Sequence, residues 1–421
     1  MLCKKGKGVL TLLLKKHIID NNINLIIVME NISENRAGRY RKTLSGEFAY
    51  ESFIPNDLPP TPPVMMDDKM QTLLSEADRA LGGLNVVADL LPDSNYFILS
   101  YLRKEATLSS KIEGTKATFV DVAKAQVGVV DEETPNDYRE IINYIDAINY
   151  GLRRIRKEEF PFSLRLLREI HAKLLSGVRG QHKTPGEFRK SQNWIGGASI
   201  RTAHYIPPAA EEIWKSLDNF EKFIHDTRPM PALIKIGIIH SQFETIHPFL
   251  DGNGRMGRLL ITLLLCHYKI LNKPTLYLSE YFSIFRSDYY DRLNAVHEKG
   301  DFEGWLKFFL EGVALVAVEA TQTARKINSL KEEGIKKISC LSSQSSKRAI
   351  SLIEKLFSQP VMTVNDVAKG IGITFANANN LVRKMEEMGI LKQIGKSKRN
   401  RLFAYTKYLV LFKERDSYKK A

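Results

Sequence analysis

The segment from His247 to Arg258 reads His-Pro-Phe-Leu-Asp-Gly-Asn-Gly-Arg-Met-Gly-Arg and holds several residue types that phosphate chemistry requires. The imidazole of His247 can accept a proton near neutral pH, so we predict that it acts as a general base toward a hydroxyl nucleophile. Asp251 supplies the carboxylate oxygen that Mg²⁺ prefers, and Mg²⁺ usually binds together with the phosphates of a nucleotide. The segment therefore predicts a nucleotide site in which Asp251 binds Mg²⁺.

The middle of this segment is typical of an anion-binding turn. Gly252 and Gly254 flank Asn253, and glycine lets backbone N–H groups approach an anion without obstruction by a side chain. The leucine-rich sequence that follows has helical spacing, which predicts a helix whose N-terminal dipole faces the anion. Arg255 and Arg258 are three residues apart and share one face of that helix, where their planar guanidinium groups suit polyphosphate oxygens.

Taken singly, these features have ordinary structural alternatives, because a histidine before a proline is usually a loop residue and Gly-Asn-Gly is usually only a turn. Their joint spacing is more specific. It matches every fixed position of the motif His-Pro-Phe-x-Asp-Gly-Asn-Gly-Arg-x-Gly-Arg, so the chain resembles a Fic family protein. The resemblance implies transfer of AMP from ATP to a serine, threonine or tyrosine hydroxyl of a target protein, and of the chain itself, with pyrophosphate leaving.

The resemblance also implies a role for each polar position of the segment. The motif histidine, here His247, takes the proton from the attacking hydroxyl. The motif aspartate, Asp251, holds Mg²⁺ against the α- and β-phosphates of ATP. The anion cradle is formed by Gly252, Asn253 and Gly254. Arg255 contacts the β-phosphate, and Arg258 contacts the γ-phosphate.

A second segment, upstream, places a serine four residues before a glutamate. Residues 95 to 113 have the apolar spacing of an amphipathic helix on which Ser109 and Glu113 point the same way, and Gly114 is suited to end that helix. In an arbitrary chain such a glutamate is usually solvated. This segment, however, is similar to the motif of self-inhibited Fic proteins, which implies that Glu113 pairs with Arg258, occupies the space of the γ-phosphate and inhibits the same polypeptide.

Residues 193 to 208 interrupt the helical pattern with paired glycines, β-branched residues and a closing Pro-Pro, which predicts a short β-hairpin. An ordinary surface loop is the alternative. In Fic proteins a hairpin at this place is a flap that pairs with an extended segment of the target, so the resemblance implies that a target protein docks at residues 195–206. We also expect four residues of the flap to line the nucleotide site: Ile200, Arg201, Thr202 and Ala203.

Aromatic and acidic residues alternate after the motif, at 277–281 and again at 288–291. Aromatic stripes more often belong to a protein core than to a ligand site. The resemblance implies, however, that a Tyr-Tyr pair at this distance after the motif borders the nucleoside. Tyr289 and Tyr290 are therefore predicted to contact the nucleotide, and Tyr281 is a further candidate.

Composition sets limits on the class of protein. A chain of 421 residues with 43% hydrophobic residues can form two or three domains, each with its own core. The three cysteines, Cys3, Cys266 and Cys340, are scattered, which argues against a disulfide framework or a zinc site. The sequence contains no apolar run of about 18 residues, the length that spans a membrane. A cytoplasmic location fits these features and the need for ATP.

The order of the patterns predicts a mainly α fold, namely a Fic-type helical bundle with a short β-hairpin flap, followed by a C-terminal winged helix-turn-helix domain. We expect a flexible or wrongly assigned N-terminal extension at 1–36, with a native start at Met29. An N-terminal region at 37–130 then carries an extended proline-rich arm and the inhibitory helix, the catalytic domain covers 131–330, and the winged domain covers 344–415. The helices expected before that domain are 66–90, 93–113, 116–128, 136–157, 163–176, 209–225, 231–246, 254–271, 287–298 and 302–327.

The C-terminal region carries most of the net charge. Residues 344–421 hold 16 lysines and arginines against 6 acids, in a chain whose net charge is +14. We expect residues 374–388 to form a recognition helix, and four basic residues to lie on the wing: Lys396, Lys398, Arg399 and Arg401. Such a module binds DNA through phosphate contacts, or it serves as a protein-contact or dimer module, so DNA binding and homo-oligomerisation both stay open.

Three functions fit the sequence. The first is an adenylyltransferase that inhibits itself. The second is a DNA-binding regulator whose Fic body senses ATP, and the third is a Fic enzyme that removes AMP or transfers another phosphate-containing group. An intact His247 favours an enzyme, because a sensor needs no general base.

Overall fold

The computed structural model describes residues 34–43, 49–90, 94–125, 128, 137–339, 341–395, 400–413 and 418. The expected start at Met29 and residues 1–33 of the predicted extension lie outside this set, as do Lys396, Lys398 and Arg399 of the predicted wing. Within it, no helix has both the length and the apolar character needed to cross a membrane.

The prediction of a mainly α fold is confirmed. The helices run, in chain order, α1 Asp68–Leu90, α2 Ser94–Ile112, α3 Phe119–Ala125, α4 Asp137–Arg156, α5 Leu164–Leu174, α6 Ile213–Ile224, α7 Ala232–Ile246, α8 Asn253–His267, α9 Ser279–Ile284, α10 Arg286–Lys299, α11 Phe302–Ile338, α12 Ser343–Ser358, α13 Val364–Ile371, α14 Phe375–Glu387 and α15 Thr406–Val410. The sequence patterns missed α9, which has only six residues, and ended α11 at residue 327 although that helix continues to Ile338.

Helices α7 and α8 form the centre of the bundle. Every residue of α7 from Leu233 to Ile246 is buried, including six polar or charged side chains. Gly237 lets α11 approach closely, because a Cβ atom there would lie 2.5 Å from Leu306 Cδ2. Trp305 of α11 donates a hydrogen bond from Nε1 to the Gly237 carbonyl, at 2.8 Å. The link between α7 and α8 is therefore held on a rigid support.

The N-terminal arm is extended and lies on the helical body. Its strands, β1 Glu34–Asn35, β2 Gly38–Thr43 and β3 Tyr50–Pro55, form an antiparallel sheet in the order β1-β2-β3. Phe53 is fully buried, and its N–H donates to the carbonyl of Ile206 at 3.0 Å. The arm therefore supports the C-terminal end of the predicted flap.

Helix α2 is enclosed along most of its length. All residues from 101 to 110 are buried, although they include three charged side chains. Lys104 forms a 2.7 Å ion pair with Glu280, and Glu105 accepts hydrogen bonds from the Ser279 hydroxyl and N–H. Burial raises the pKa of Glu105, although these hydrogen bonds lower it. The body of α2 is thus fixed by buried polar contacts, which are costly to break once formed.

The C-terminal region contains α12 to α15 and three short strands, β4 Val361–Thr363, β5 Lys392–Ile394 and β6 Leu402–Ala404, in the order β4-β6-β5. Thr374 caps α14 as expected, accepting a hydrogen bond from the Asn377 N–H. This region packs on α2, where the hydroxyls of Ser100 and Tyr408 lie 2.6 Å apart. Its assignment as a winged helix, and its binding of DNA, stay predictions.

Candidate active site

The motif from His247 to Arg258 forms the connection between α7 and α8. His247 ends α7 in the left-handed conformation, with φ 48° and ψ 60°, and Gly252 precedes α8 with φ 78°. The first bond of α8 runs from the Met256 N–H to the Gly252 carbonyl at 3.0 Å. The N–H groups of residues 253–255 precede this bond and have no partner within the helix, so the predicted anion cradle is the N-terminus of α8.

Hydrogen bonds within the connection fix its shape. Asn253 Oδ1 accepts from the Phe249 N–H at 2.9 Å, and Asn253 Nδ2 donates to the Phe249 carbonyl at 2.7 Å. The Asn253 side chain therefore braces the turn, and only its backbone is left for an anion. His171 of α5 accepts from the Gly186 N–H through Nδ1, so its Nε2–H donates to the Asp251 carbonyl, at 2.9 Å.

A cavity of about 550 Å³ lies over this connection and brings together most of the predicted site. Its lining includes the predicted residues Glu113, His247, Asp251, Gly252, Asn253, Gly254, Arg255, Arg258, Tyr289 and Tyr290. A volume of this size suits a small-molecule ligand. Ser109 and Gly114 do not line the cavity but flank the end of α2 that reaches it.

His247 is placed to act as a neutral base. Its Nδ1 lies 3.3 Å from the carbonyl oxygen of Glu244, an arrangement in which Nδ1–H donates and Nε2 keeps its lone pair. Within the described part of the chain, Nε2 has no hydrogen-bond partner. Burial lowers the pKa of His247 to about 4, and the positive charge of Arg189 contributes a smaller part of this decrease. The imidazole is therefore neutral at physiological pH.

Arg189 holds the end of α7 in place. It donates from Nε to the His247 carbonyl at 3.0 Å, and from a terminal nitrogen to the carbonyls of Pro208, at 2.5 Å, and Ile246, at 3.3 Å. Burial lowers its pKa to about 10, so it remains a cation near neutral pH. A cation beside the last carbonyls of a helix is stabilised by the helix dipole.

Glu113 and Arg258 are in direct contact. Arg258 donates to Glu113 Oε1 at 2.8 Å, and to the hydroxyl and carbonyl oxygens of Ser109, both at 2.9 Å. Burial opposes ionisation of both groups, but their mutual attraction outweighs it, lowering the pKa of Glu113 and raising that of Arg258. A Cβ atom added to Gly254 would lie 2.4 Å from Glu113 Oε1. The carboxylate of Glu113 therefore stands directly over the N-terminus of α8, where an anion is stabilised.

Arg255 forms a different pair, which the sequence did not indicate. Its guanidinium lies 3.1 Å from Glu140 Oε2 of α4, while its Nε has no hydrogen-bond partner among the described residues. Glu140 also accepts from the Thr115 hydroxyl at 3.1 Å and lies 3.5 Å from Arg179 Nε. Arg179 in turn donates to the Glu113 carbonyl at 3.2 Å and lines the cavity. Glu140 and Arg179 are remote from the motif in sequence and share no periodicity with it.

Asp251 is suited to the predicted Mg²⁺. Its Oδ1 accepts from the Gly252 N–H at 2.6 Å, and no hydrogen bond of Oδ2 to another described residue is present. The described residues contain no group of three or more His, Cys, Asp or Glu side chains that could hold a metal by themselves. A single carboxylate on a cavity that also holds the predicted anion cradle fits Mg²⁺, which keeps several waters and binds nucleotide phosphates.

The predicted flap hairpin is closed by one antiparallel bridge, between Ile195 and Tyr205. Contrary to the expectation from sequence, residues 200–203 do not line the cavity. Ile200, Arg201 and Thr202 form a 3-10 turn at the tip that Ala203 ends, and the Thr202 hydroxyl is used within the turn, where it accepts from the Ala198 and Ser199 N–H groups. The cavity is instead lined by the base of the hairpin, namely Trp194, Ile195, Gly196, His204 and Tyr205.

Both tyrosines of the predicted pair line the cavity, but they differ in burial. Tyr289 is buried, its hydroxyl lies 2.9 Å from His240 Nε2, and its ring stacks on Phe282. Tyr290 is 36% exposed at the cavity wall and is the better placed of the two to contact a nucleoside. Tyr281 is buried among aromatic rings and does not line the cavity.

Comparison with known proteins supports the resemblance. The family model for the Fic/DOC family N-terminal region matches residues 71–153, and the Fic/DOC family model matches residues 161–265. A protein adenylyltransferase Fic from Aedes aegypti is 28% identical over 188 residues, covering 43% of this chain and 34% of that protein. A probable protein adenylyltransferase from Aquifex aeolicus (strain VF5) is 28% identical over 195 residues, covering 45% and 55% respectively. The chain thus spans about a third of the length of the mosquito relative.

A solved structure shows the same fold. A Fic family protein from Desulfovibrio desulfuricans G20 superposes with a TM-score of 0.55 and 20% identity, covering 82% of this chain and 97% of that chain. The two family models and the complete motif between His247 and Arg258 show that the chain contains a Fic/DOC family N-terminal region at residues 71–153 and a Fic/DOC domain at residues 161–265.

Proposed function

We propose that this chain transfers AMP from ATP to a hydroxyl side chain of a target protein, and of itself. The observation that carries the proposal is that His247, with an unpartnered Nε2, faces the same cavity as Asp251 and the N-terminus of α8. A base, a metal ligand and an anion cradle on one cavity are the parts that nucleotidyl transfer needs. The relatives that carry the name adenylyltransferase support the same reaction.

In the proposed reaction, the target hydroxyl attacks the α-phosphorus of ATP. His247 Nε2 takes the hydroxyl proton as the new O–P bond forms, and the bond from the α-phosphorus to the bridging oxygen breaks, so that pyrophosphate leaves. The N–H groups at the start of α8 and the guanidinium of Arg258 bind the phosphates and orient the α-phosphorus for in-line attack. Mg²⁺ bound with ATP at Asp251 would neutralise charge on the phosphates.

We further propose that Glu113 inhibits this reaction from within the chain. Its carboxylate binds the guanidinium of Arg258 and fills the space over Gly254, and the phosphates need both the guanidinium and that space. A carboxylate there also repels the triphosphate. ATP can then bind only in a pose that is poorly aligned for attack.

The target is proposed to dock at the flap. The hairpin base lines the cavity, and residues 195–206 pair with each other through only one bridge, which leaves backbone groups of this segment for an added strand. A target segment paired along the flap would carry its hydroxyl past His247.

The proposal is tested with ATP labelled on either the α- or the γ-phosphate, supplied to the Glu113→Gly variant. The α-label is expected to enter protein and the γ-label to stay in solution. Adding His247→Ala should lower incorporation of the α-label by roughly 10²- to 10⁴-fold, the usual share of a general base. Entry of the γ-label would indicate phosphate transfer instead. Entry of neither label, or a rate independent of His247, would contradict the proposed reaction and favour an ATP sensor or an AMP-removing enzyme.

A further inference from the structure

Glu244 is a buried carboxyl group on the cavity that neither the motif nor the proposed reaction uses. It lies in the last turn of α7, three residues before His247 and on the same face of the helix. Its Oε2 is 3.7 Å from His247 Nδ1. Its Oε1 lies so close to α8 that a Cβ atom on Gly257 would be 2.2 Å away. The glycine at position 257 therefore leaves the space that this carboxyl group fills.

The surroundings of Glu244 do not account for its burial. The residue is only 8% exposed, and Oε1 has no hydrogen-bond partner among the described residues. A buried polar atom without a partner destabilises a fold, so its presence on a reactive cavity indicates a use in the reaction. Its nearest titratable neighbour is the proposed base.

We propose that Glu244 is a positioning residue for His247. The carboxylate, 3.7 Å from Nδ1, favours by its charge the Nδ1–H tautomer in which Nδ1–H donates to the Glu244 backbone carbonyl and Nε2 is free as the base, and it stabilises the imidazolium that forms when Nε2 takes the hydroxyl proton. The proton stays on the imidazole throughout, and Glu244 itself does not accept it. This proposal rests on the proposed transfer reaction.

The charges around the two residues explain why such a partner is useful. Burial and the cation of Arg189 disfavour a protonated His247, lowering its pKa to about 4, so the proton transfer is uphill without a compensating anion. An ionised carboxylate at 3.7 Å supplies that anion. Because the site is buried, its effect is much larger than in water.

The groups facing Glu244 also connect it to inhibition. Burial raises the pKa of Glu244 to about 7; Arg258 opposes this increase, whereas the nearby charge of Glu113 adds to it. The other titratable groups that interact with Glu244 are His247, Tyr289 and Tyr290. Removal of Glu113 therefore favours ionised Glu244, although the charge of Glu113 itself also raises the pKa of His247.

The test compares Glu244→Gln and Glu244→Asp in the Glu113→Gly background, with kcat for AMP incorporation measured from about pH 5 to about pH 9. In the parent, kcat should rise with pH as Glu244 ionises, near or below pH 7. Glu244→Gln should lower kcat by roughly 10- to 100-fold, part of the 10²- to 10⁴-fold share of a general base, and abolish that rise. KM for ATP should change little, and Glu244→Asp should recover part of the rate and the rise.

Three results would contradict the proposal: an unchanged kcat and profile in Glu244→Gln, a lower kcat with the same rise, or no recovery in Glu244→Asp. An NMR titration of the His247 ring in the wild-type chain and in Glu244→Gln gives a readout that needs no activity. Above pH 7, where Glu244 is ionised, the ring-nitrogen shifts of the wild-type chain should report the Nδ1–H tautomer and those of the Gln variant a larger share of the Nε2–H tautomer; an unchanged tautomer ratio would overturn the proposal. If the Glu113→Gly parent transfers no AMP, the reaction is wrong, while the titration still tests the Glu244–His247 interaction.

Discussion

Two arginines on one face of α8 form ion pairs of different character. Arg255 pairs with Glu140, and the two side chains are 1% and 4% exposed. Arg258 pairs with Glu113, and the exposed fractions are 2% and 33%. The arginines are equally buried and only three residues apart, so the difference between the pairs comes from the glutamates.

The position of each glutamate explains this difference. Glu140 lies in the first turn of α4 and is held by Thr115 and Arg179 as well as by Arg255. Glu113 follows the last residue of α2, and Gly114 after it has φ 97°, a conformation that favours glycine. The Glu140 carboxylate is therefore part of the core, whereas the Glu113 carboxylate lies just beyond the end of α2, at the edge of the core.

The enclosure of α2 indicates where such movement takes place. The helix is buried from residue 101 to residue 110 and carries the buried pair Lys104–Glu280, so displacing the whole helix would break many contacts. We infer that the proposed inhibition is relieved by movement of the last turn and of Glu113 alone. The Arg258 pair is then the proposed switch, and the Arg255 pair is a structural support.

The largest effect on stability is expected from Glu140→Ala. This change leaves Arg255, which is 1% exposed, without its ion-pair partner, and breaking a buried ion pair in this way typically costs about 3 to 5 kcal/mol. Glu113→Ala should cost roughly 1 kcal/mol or less, because its site is partly exposed and opens onto the cavity, where water can hydrate Arg258. The measurement is the free energy of unfolding from urea titration of both variants. Equal losses would show that the two pairs do not differ in the way described.

A smaller effect, on activity, is expected from Ser109→Ala. Arg258 loses one acceptor but keeps Glu113 and the Ser109 carbonyl, so the inhibitory contact weakens by about 1 kcal/mol and AMP incorporation rises roughly twofold to fivefold. Ser110→Ala is a matched control, because the buried hydroxyl of Ser110 has no hydrogen-bond partner among the described residues. An increase of the same size in both variants would exclude a specific role for the Ser109 hydroxyl.

The comparison also shows what the sequence could predict. The Glu113–Arg258 contact was predictable because both residues belong to recognised motifs and Ser109 and Glu113 are four apart on a helix. The Arg255–Glu140 pair was not, since 115 positions separate its members and neither spacing nor composition connects them. Glu244 did carry a signal, as it lies one helical turn before His247, but buried glutamates are too rare for this spacing alone to indicate one.

Two other differences from the sequence predictions have local causes. The flap tip lies outside the cavity because Thr202 closes a 3-10 turn with its own neighbours, an arrangement that the strand pattern does not predict. Helix α11 continues past residue 327 through a charged sequence that lacks a clear apolar stripe. It remains helical there because Gly334 and Ile338 are buried, with Ile353 of α12 packed close to Gly334.

The most direct test of the switch is the rate of AMP incorporation, with α-labelled ATP, by the wild-type chain and by Glu113→Gly. The exposed Glu76 of α1 supplies the control, Glu76→Ala. Glu113→Gly frees Arg258 and also empties the space over Gly254 from which the carboxylate repels the phosphates, so the rate should rise roughly tenfold or more, while the control stays at the wild-type rate. A Glu113→Gly rate equal to that of the wild type would contradict the central claim that this carboxylate holds the site inactive.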